Sequence, residues 1–524
     1  MNSPSTVRSP GRRVILVWLA AAGLAVAEDG PRARVERSGE WRDSVPSPVF
    51  SPDPSLVDLY WKTWELAYRN VKRHEGMPQS PYMDEACYDD AIWIWDTCFM
   101  ALFCKYAPDV FPGVESLRNF YLPLHAGARL PITCHIADNP PLFAWAEWEN
   151  FRFTGDTRHL RRLLMEDRFL QKHYRFFERM PEGFRLPGNS SAAVLRRHEI
   201  GFFWNGGHSG MDNTPRGRPG NRAAGQHITT HALWVDALAQ QGLSALYIAR
   251  ALESLGERAE AAEWRKEHAR IAALLNTHYW DEQDGFYYDI DADTKAFLKV
   301  KTPASFWPLL AEVCTPDQAK KLAAHLGDPA GLGGEVPWVT LARGDPDFVP
   351  NGNYWRGAIW LPTAYMGIKA LENYGLHDVA DETAWRVVQH MNATYRTYTP
   401  ATIWECYSPT RPEPSVEYGR RARPDFCGWS ALGPISLFIE NIIGIYKVDA
   451  VGRTVHWRLT RSGEIGVRNL RFGGIRADLV HDGAGTVRVR STAPFTLNLN
   501  GRSHSVRAGE QQFPFTPASA GGEE

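Results

Sequence analysis

Between Ser51 and Tyr446 apolar residues recur with helical spacing in one segment after another, and no segment repeats another at a fixed period. That pattern restricts the fold more than any other feature. In Leu56, Leu59, Tyr60, Trp64, Ala67, Tyr68 and Val71 it follows the helix starters Pro52 and Pro54. Further helices are predicted over 92–105, 141–153, 160–178, 228–255, 258–279, 303–314, 316–326, 354–374, 379–395 and 425–446. Glycines close several of them, as at Gly155 and Gly375. About a dozen helices with uneven loops suit a closed toroid of helical hairpins rather than a solenoid. After Tyr446 the period changes. Short runs at 454–459, 467–472, 477–481, 486–490, 495–499 and 504–506 are separated by turns, including Asn500-Gly501. The expected fold is therefore mainly α, an (α/α)6 toroid with a small C-terminal β-sandwich-like domain. The expected boundaries are 1–27 signal peptide, 28–50 linker, 51–447 catalytic domain, 448–516 β domain and 517–524 disordered tail.

The signal peptide reading rests on Arg8, Arg12 and Arg13 before the apolar run from Val14, with a small-residue cleavage site at Ala25-Val26-Ala27. The run is too short for a comfortable membrane span. It predicts an exported, periplasmic or extracellular protein with no membrane span after cleavage. The Arg12-Arg13 pair leaves the twin-arginine route open beside the general one. Lysine and arginine (58) nearly balance aspartate and glutamate (60), which argues against nucleic acid or an anionic membrane as partner. Seven cysteines do not make a disulfide scaffold. Cys98 and Cys104 read as buried thiols, and pairing of Cys406 with Cys427 is left open. The 20 tryptophans supply flat faces that stack on sugar rings, or that fill a helical core.

Four stretches carry residues that packing alone does not require. Asn205-Gly-Gly-His208-Ser-Gly-Met-Asp212-Asn213-Thr-Pro-Arg216 holds one acid on a glycine-rich loop next to Trp204. This suits a general acid of raised pKa, or an Asx-capped turn. In Tyr88-Asp-Asp-Ala-Ile-Trp93-Ile-Trp95-Asp96 the acid Asp96 either caps a helix or holds sugar hydroxyls. Asn353-Tyr354-Trp355-Arg356 places an arginine between aromatics, at a site or at the surface. In Thr402-Ile-Trp404-Glu405-Cys406-Tyr407, ahead of Asp425-Phe-Cys-Gly-Trp429-Ser430, Glu405 is a functional inward charge or an edge gatekeeper. Two isolated carboxylates among tryptophans match what glycosidic cleavage needs. Trp95, Trp204, Trp404 and Trp429 stand beside them as candidate sugar platforms. No metalloprotease, phosphate-loop, dinucleotide or nucleophile-elbow pattern competes. The acids Asp281, Asp284, Asp289, Asp291 and Asp293 could gather calcium but lack its loop spacing, so neither a cofactor nor a metal is expected.

The order of these four motifs resembles glycoside hydrolase family 63, in its bacterial mannosylglycerate-hydrolase-like branch, and more remotely the family 37 trehalases of the same clan. The resemblance spans 53–446. It implies the (α/α)6 toroid and exo-acting hydrolysis, with inversion, of an α-linked gluco- or manno-configured sugar. Asp212 would be the general acid and Glu405 the general base, its anion supported by Tyr407. Asp96, Asn213, Arg216, Trp355 and Arg356 would line the sugar subsite. The chain lacks the trehalase run Q-W-D-x-P-x-G-W-A-P, and Asn139 stands where that branch carries glutamine. A sugar-binding protein on the same scaffold, or another (α/α)6 enzyme such as an epimerase or lyase, are the competing readings.

Overall fold

The structure, a computed structural model, describes residues 39–86, 88–135, 137–186, 191–217 and 231–515. The expected signal peptide and C-terminal tail lie outside those residues. The chain divides into a unit ending at Trp41, described only over the start of the 3-10 turn Gly39–Ser44, and the unit from Arg42 onward, which holds everything below.

Helices dominate up to Ile442. Their ends follow local chemistry. Asp53 caps Pro54–Arg69 by accepting a hydrogen bond from Ser55 N (3.1 Å), and Pro54 opens the first turn. Thr315 and Gln318 form a capping box at Pro316–Ala324. Gly155, left-handed, closes Phe143–Thr154. Ile94–Cys104 is buried at every position, and Val235–Ser254 along most of its length, as helices wrapped on all sides must be. Ile94–Cys104 packs on Phe143–Thr154, that helix on Val235–Ser254, and that one on Trp307–Leu310. Leu361–Asn373 follows, then the turn Trp429–Leu432, which returns to Ile94–Cys104. Outer helices such as Arg258–His278 and His377–Thr397 back this series, the first against Val235–Ser254 and the second against Gly433–Ile442.

Several expected helices differ. The 303–314 helix is a 3-10 turn over Pro303–Phe306 followed by the single turn Trp307–Leu310, and the 228–255 helix begins only at Val235, after the short strand Ala232–Leu233. The 160–178 helix is broken by a π turn at Arg162–Glu166 and by Arg168 at φ 55°, and restarts as Phe169–Glu178. The 354–374 helix begins only at Leu361, because Asn353, Tyr354 and Gly357 all take positive φ and no helix passes through them. The last one is π-helical over Gly433–Ile442, where Pro434 leaves a backbone position without an N–H.

The strand-rich region holds two sheets. One orders Ser47–Phe50, Glu464–Phe472, Ile475–Asp482, Thr486–Ser491 and Gly509–Pro514, all antiparallel. The other orders Lys447–Asp449, Thr454–Trp457, Phe495–Leu499 and Arg502–Val506. Phe472 and Phe495 meet edge to face between the sheets (centroids 5.6 Å apart). Asn500 and Gly501 both take positive φ, the hairpin turn their sequence demands. The expected linker 28–50 is corrected at its end, since Ser47–Phe50 is a strand paired to Glu464–Phe472. Pro48 lacks an N–H, and only an edge strand like this one tolerates that. Phe50 then packs on Phe438 (5.4 Å), tying the sheet to the π-helical segment. All six described cysteines are buried free thiols, so Cys406 and Cys427 do not pair. Among the described residues no helix is long and apolar enough to cross a membrane.

Candidate active site

Two cavities along the helical series gather buried charge. One, of about 690 Å³, faces the strand-rich region, and its charges neutralise one another. Arg250 clamps Glu312 with two bonds (2.8 and 2.6 Å), and Glu440 sits between Lys105 (2.9 Å) and Lys369 (2.8 Å). Those cations hold the buried Glu440 carboxyl down to about 2 although burial alone would raise it.

The smaller cavity, of about 330 Å³, is different. Asp96, Asp212 and Glu405 line it, with the rings of Trp95, Trp355, Trp360 and Trp429. Trp355 and Trp360 stack face to face at 4.1 Å, and Trp429 lies 5.3 Å from Trp360. Loops from distant parts of the chain meet here, and polar side chains hold them together. Asn139 accepts from Trp95 N (2.9 Å) and donates to His208 O (3.0 Å), joining the first motif to the Asp212 loop. Asn205 caps the turn Gly206–Ser209, and His208 is anchored by Asp138 (2.6 Å). Gly210 is left-handed and a side chain there would strike the Trp95 ring at 2.9 Å, so glycine lets the acid-bearing loop lie on that ring. Asn213 bridges to the third motif, accepting from Trp355 N (2.8 Å) and donating to Asn353 O (3.0 Å). Glu405 is fixed through its backbone: its N–H donates to Arg423 O (3.0 Å), and its carbonyl accepts from Trp429 Nε1 (3.0 Å).

Both isolated carboxyls hold their protons unusually well. Burial pushes Asp212 up to about 7, against a hydrogen bond from Tyr354 that pulls it down, with Glu417 pushing up as well. Burial pushes Glu405 well above the usual range, Glu417 adds to this, and Arg423 opposes it. The Arg423 guanidinium stands 3.5 Å from Glu405 Oε1, while Oε2 is buried without a partner. The expectation that Tyr407 supports the Glu405 anion is corrected: its hydroxyl accepts from Trp404 N (3.0 Å) instead. Glu85 and Asp96 are hydrogen bonded to each other deep in the cavity wall. Burial and the neighbouring acid raise Glu85 strongly, so it donates its proton to Asp96.

Of the residues singled out from the sequence, Trp95, Asp96, Asp212, Trp355, Glu405 and Trp429 line this cavity. Five do not. Trp204 is fully buried, packs edge-on against Phe177 (5.9 Å) and does not line the cavity. Arg216 is a buried strut forked between Asp236 (2.7 and 2.9 Å) and Asp289 (3.0 and 2.7 Å). Arg356 reaches Asp347 (3.3 Å) and Asn213 O (3.2 Å), Trp404 packs against Tyr398 (5.5 Å), and Asn213 is spent on the bridge described above. The acids that could gather calcium are also engaged: Asp281 pairs with Lys299 (2.6 Å), and Asp291 caps its own turn. Among the described residues no cluster of three or more histidine, cysteine or acidic side chains is placed to hold a metal. Sequence reasoning missed Glu85, Glu417, Tyr418 and Arg423 as lining residues. The last three sit in a run dense in charge and turn residues that reads as a solvated loop. Nothing in the pattern around Glu85 marks it as buried.

Residues 129–426 match the family described as mannosylglycerate hydrolase MGH1-like glycoside hydrolase domain. An uncharacterized protein of Borreliella burgdorferi is 25% identical over 444 residues, covering 80% of this chain and 86% of that one. A periplasmic trehalase of Salmonella newport is 23% identical over 392 residues, and the chain spans 65% of the trehalase's length. The family 63 mannosylglycerate hydrolase of Thermus thermophilus shares the fold, with a TM-score of 0.53 at 18% identity, over 72% of this chain and 99% of that one.

Proposed function

This chain belongs to the mannosylglycerate hydrolase MGH1-like glycoside hydrolases of family 63, and on that premise we propose that it is an exported, exo-acting α-glycosidase that inverts a gluco- or manno-configured sugar in an (α/α)6 toroid. The observation that carries the reading is that Asp212 and Glu405, nearly 200 residues apart on separate loops, line one small aromatic cavity. A pocket of about 330 Å³ suits one sugar residue at a chain end. Trp95, Trp355 and Trp429 give that sugar apolar faces, and Asp96 accepts from its hydroxyls.

Asp212, protonated near neutral pH, gives its proton to the glycosidic oxygen as the bond to the anomeric carbon breaks. Glu405, drawn toward its ionised form by Arg423, takes a proton from a water that attacks the anomeric carbon from the opposite face. The cycle leaves Asp212 ionised and Glu405 protonated, and exchange with solvent restores both. Inversion requires the two carboxyl groups to stand roughly 6.5–9.5 Å apart, leaving room for that water. The relatives point to two leaving groups, an organic acid in the mannosylglycerate hydrolase and a second sugar in the trehalase.

Proton NMR of the anomeric region during the first minutes of hydrolysis tests the mechanism. The β-anomer is expected first. Early α-anomer would remove Glu405 from the role of base. Saturable sugar binding without turnover, across α-linked disaccharides, would make the protein a binding module instead.

A further inference from the structure

Five carboxylates line the catalytic cavity (Glu85, Asp96, Asp212, Glu405 and Glu417) against a single guanidinium, Arg423, among the described residues. In the productive state Asp212 is protonated and Glu85 shares its proton with Asp96. Three anions and one cation then remain. The cation is committed, because Arg423 faces Glu405 at 3.5 Å and donates to the Tyr88 hydroxyl at 2.6 Å, over whose ring it lies. The other nearby arginines are held away from the cavity, Arg216 by Asp236 and Asp289, and Arg356 by Asp347.

Glu417 differs from the other acids. It lies in the hairpin Val416–Glu417 / Arg420–Arg421, half-buried, beside Tyr418, which is 55% exposed and tilts onto Tyr354 (5.3 Å). That hairpin forms the rim of the cavity. Among the described residues no hydrogen bond or ion pair to the Glu417 side chain is found. It is the strongest charge acting on Asp212 and on Glu405 alike, and its neighbour Tyr418 lies on Tyr354, which is hydrogen bonded to Asp212. Glu417 therefore stands at the mouth of the cavity over both carboxyls, where an exo-acting enzyme holds the aglycone. The floor is built from Asp96 and tryptophans, and so takes the glycone.

We propose that this enzyme takes glycosides of neutral polyhydroxylated aglycones and rejects those bearing a carboxylate, with Glu417 as the residue that sets the discrimination. This rests on the hydrolase reading above and names the leaving-group class for the same site. A carboxylate arriving at the rim meets a like charge in a cavity whose described lining is already net negative, and among the described residues no uncommitted cation lines it to pair with that carboxylate. The hydroxyls of a glycerol or sugar aglycone can instead donate hydrogen bonds to the Glu417 carboxylate.

The test uses pairs matched in everything but the carboxylate: α-mannosyl and α-glucosyl glycerol against the corresponding glycerates, at low salt. The neutral member is expected to have the higher kcat/KM, by about 10-fold or more. Glu417→Gln should narrow that ratio, and Glu417→Lys should reverse it. Calorimetric binding of the same pairs should show the same order, which decides the matter without relying on turnover. Glycerate glycosides that bind and react as well as their glycerol partners, or a ratio that neither variant moves, would overturn the proposal. Fluoride release from α-mannosyl or α-glucosyl fluoride, which carries no such aglycone, separately reports whether the hydrolase reading holds.

Discussion

Arg423→Met isolates the charge that prepares Glu405. The substitution keeps most of the stem against Tyr88 and removes the cation 3.5 Å from Glu405 Oε1. A unit pair at that distance is worth about 5 kcal/mol at an effective dielectric of ~20. The Arg423 side chain is 39% exposed, so water screens most of this, and about 1–2 kcal/mol remains. One pH unit corresponds to about 1.4 kcal/mol, so Glu405 should take up its proton about one unit higher. In the proposed mechanism Glu405 acts as a carboxylate, so activity is lost as pH falls through its pKa, and that acidic limb of kcat/KM should rise by about one unit. The same mechanism gives the alkaline limb to Asp212, which must be protonated and whose pKa burial raises to about 7. Arg423 is only a minor influence on Asp212, so that limb should move less. The profile therefore narrows and its maximum falls, and Arg423→Lys should restore part of the width. An acidic limb that stays within about 0.3 units of the wild type would refute the assignment of Glu405 or the role given to Arg423.

Asp212→Asn and Glu405→Gln should each cut turnover by about 10³-fold or more while the fold survives. Asp212→Asn carries a further sign: its folded pKa of about 7 lies above the ordinary 3.8, so the carboxyl stabilises fully below 3.8 and that contribution is lost as pH rises through 7. At pH 8 the variant should then melt no lower than the wild type, and a large drop in Tm there would contradict the burial argument. Arg216→Met strands Asp236 and Asp289 together in the interior, which should cost about 3–5 kcal/mol in urea unfolding. A loss under about 1 kcal/mol would mean that the pair is not supported by this arginine.

The helical pattern and the change of period after Tyr446 were legible because burial periodicity is written directly into the chain. The first strand was not. Four residues with a proline at the second position carry too little pattern, and their partner lies at the other end of the protein. At the site, Asp212 and Glu405 could be read from their isolation among aromatic and small residues. The arginines misled for a common reason. An arginine beside glycines and tryptophans looks like a ligand contact, yet Arg216 serves two buried acids, one of which, Asp289, lies 73 residues away. Trp404 failed because a ring next to Glu405 in sequence turns into the core when its neighbour turns into the cavity, and Trp204, eight residues before Asp212, is simply core. Glu417 and Arg423 were hidden by the opposite error, a polar hairpin that folds back over the pocket instead of into solvent.

The edge strand Ser47–Phe50 sets an order on how this protein can be assembled. Ser51 Oγ accepts from Glu464 N, a partner 413 residues further along. A chain made from its N-terminus carries that strand, with Phe50, from the start and has nothing to pair it with until the final sheet emerges. Contacts of such long separation close late and slowly. The helices can pack progressively, but Glu464–Phe472 must arrive before the first strand is seated. Truncation ahead of Glu464 therefore removes the first strand's partner as well as the end of the protein.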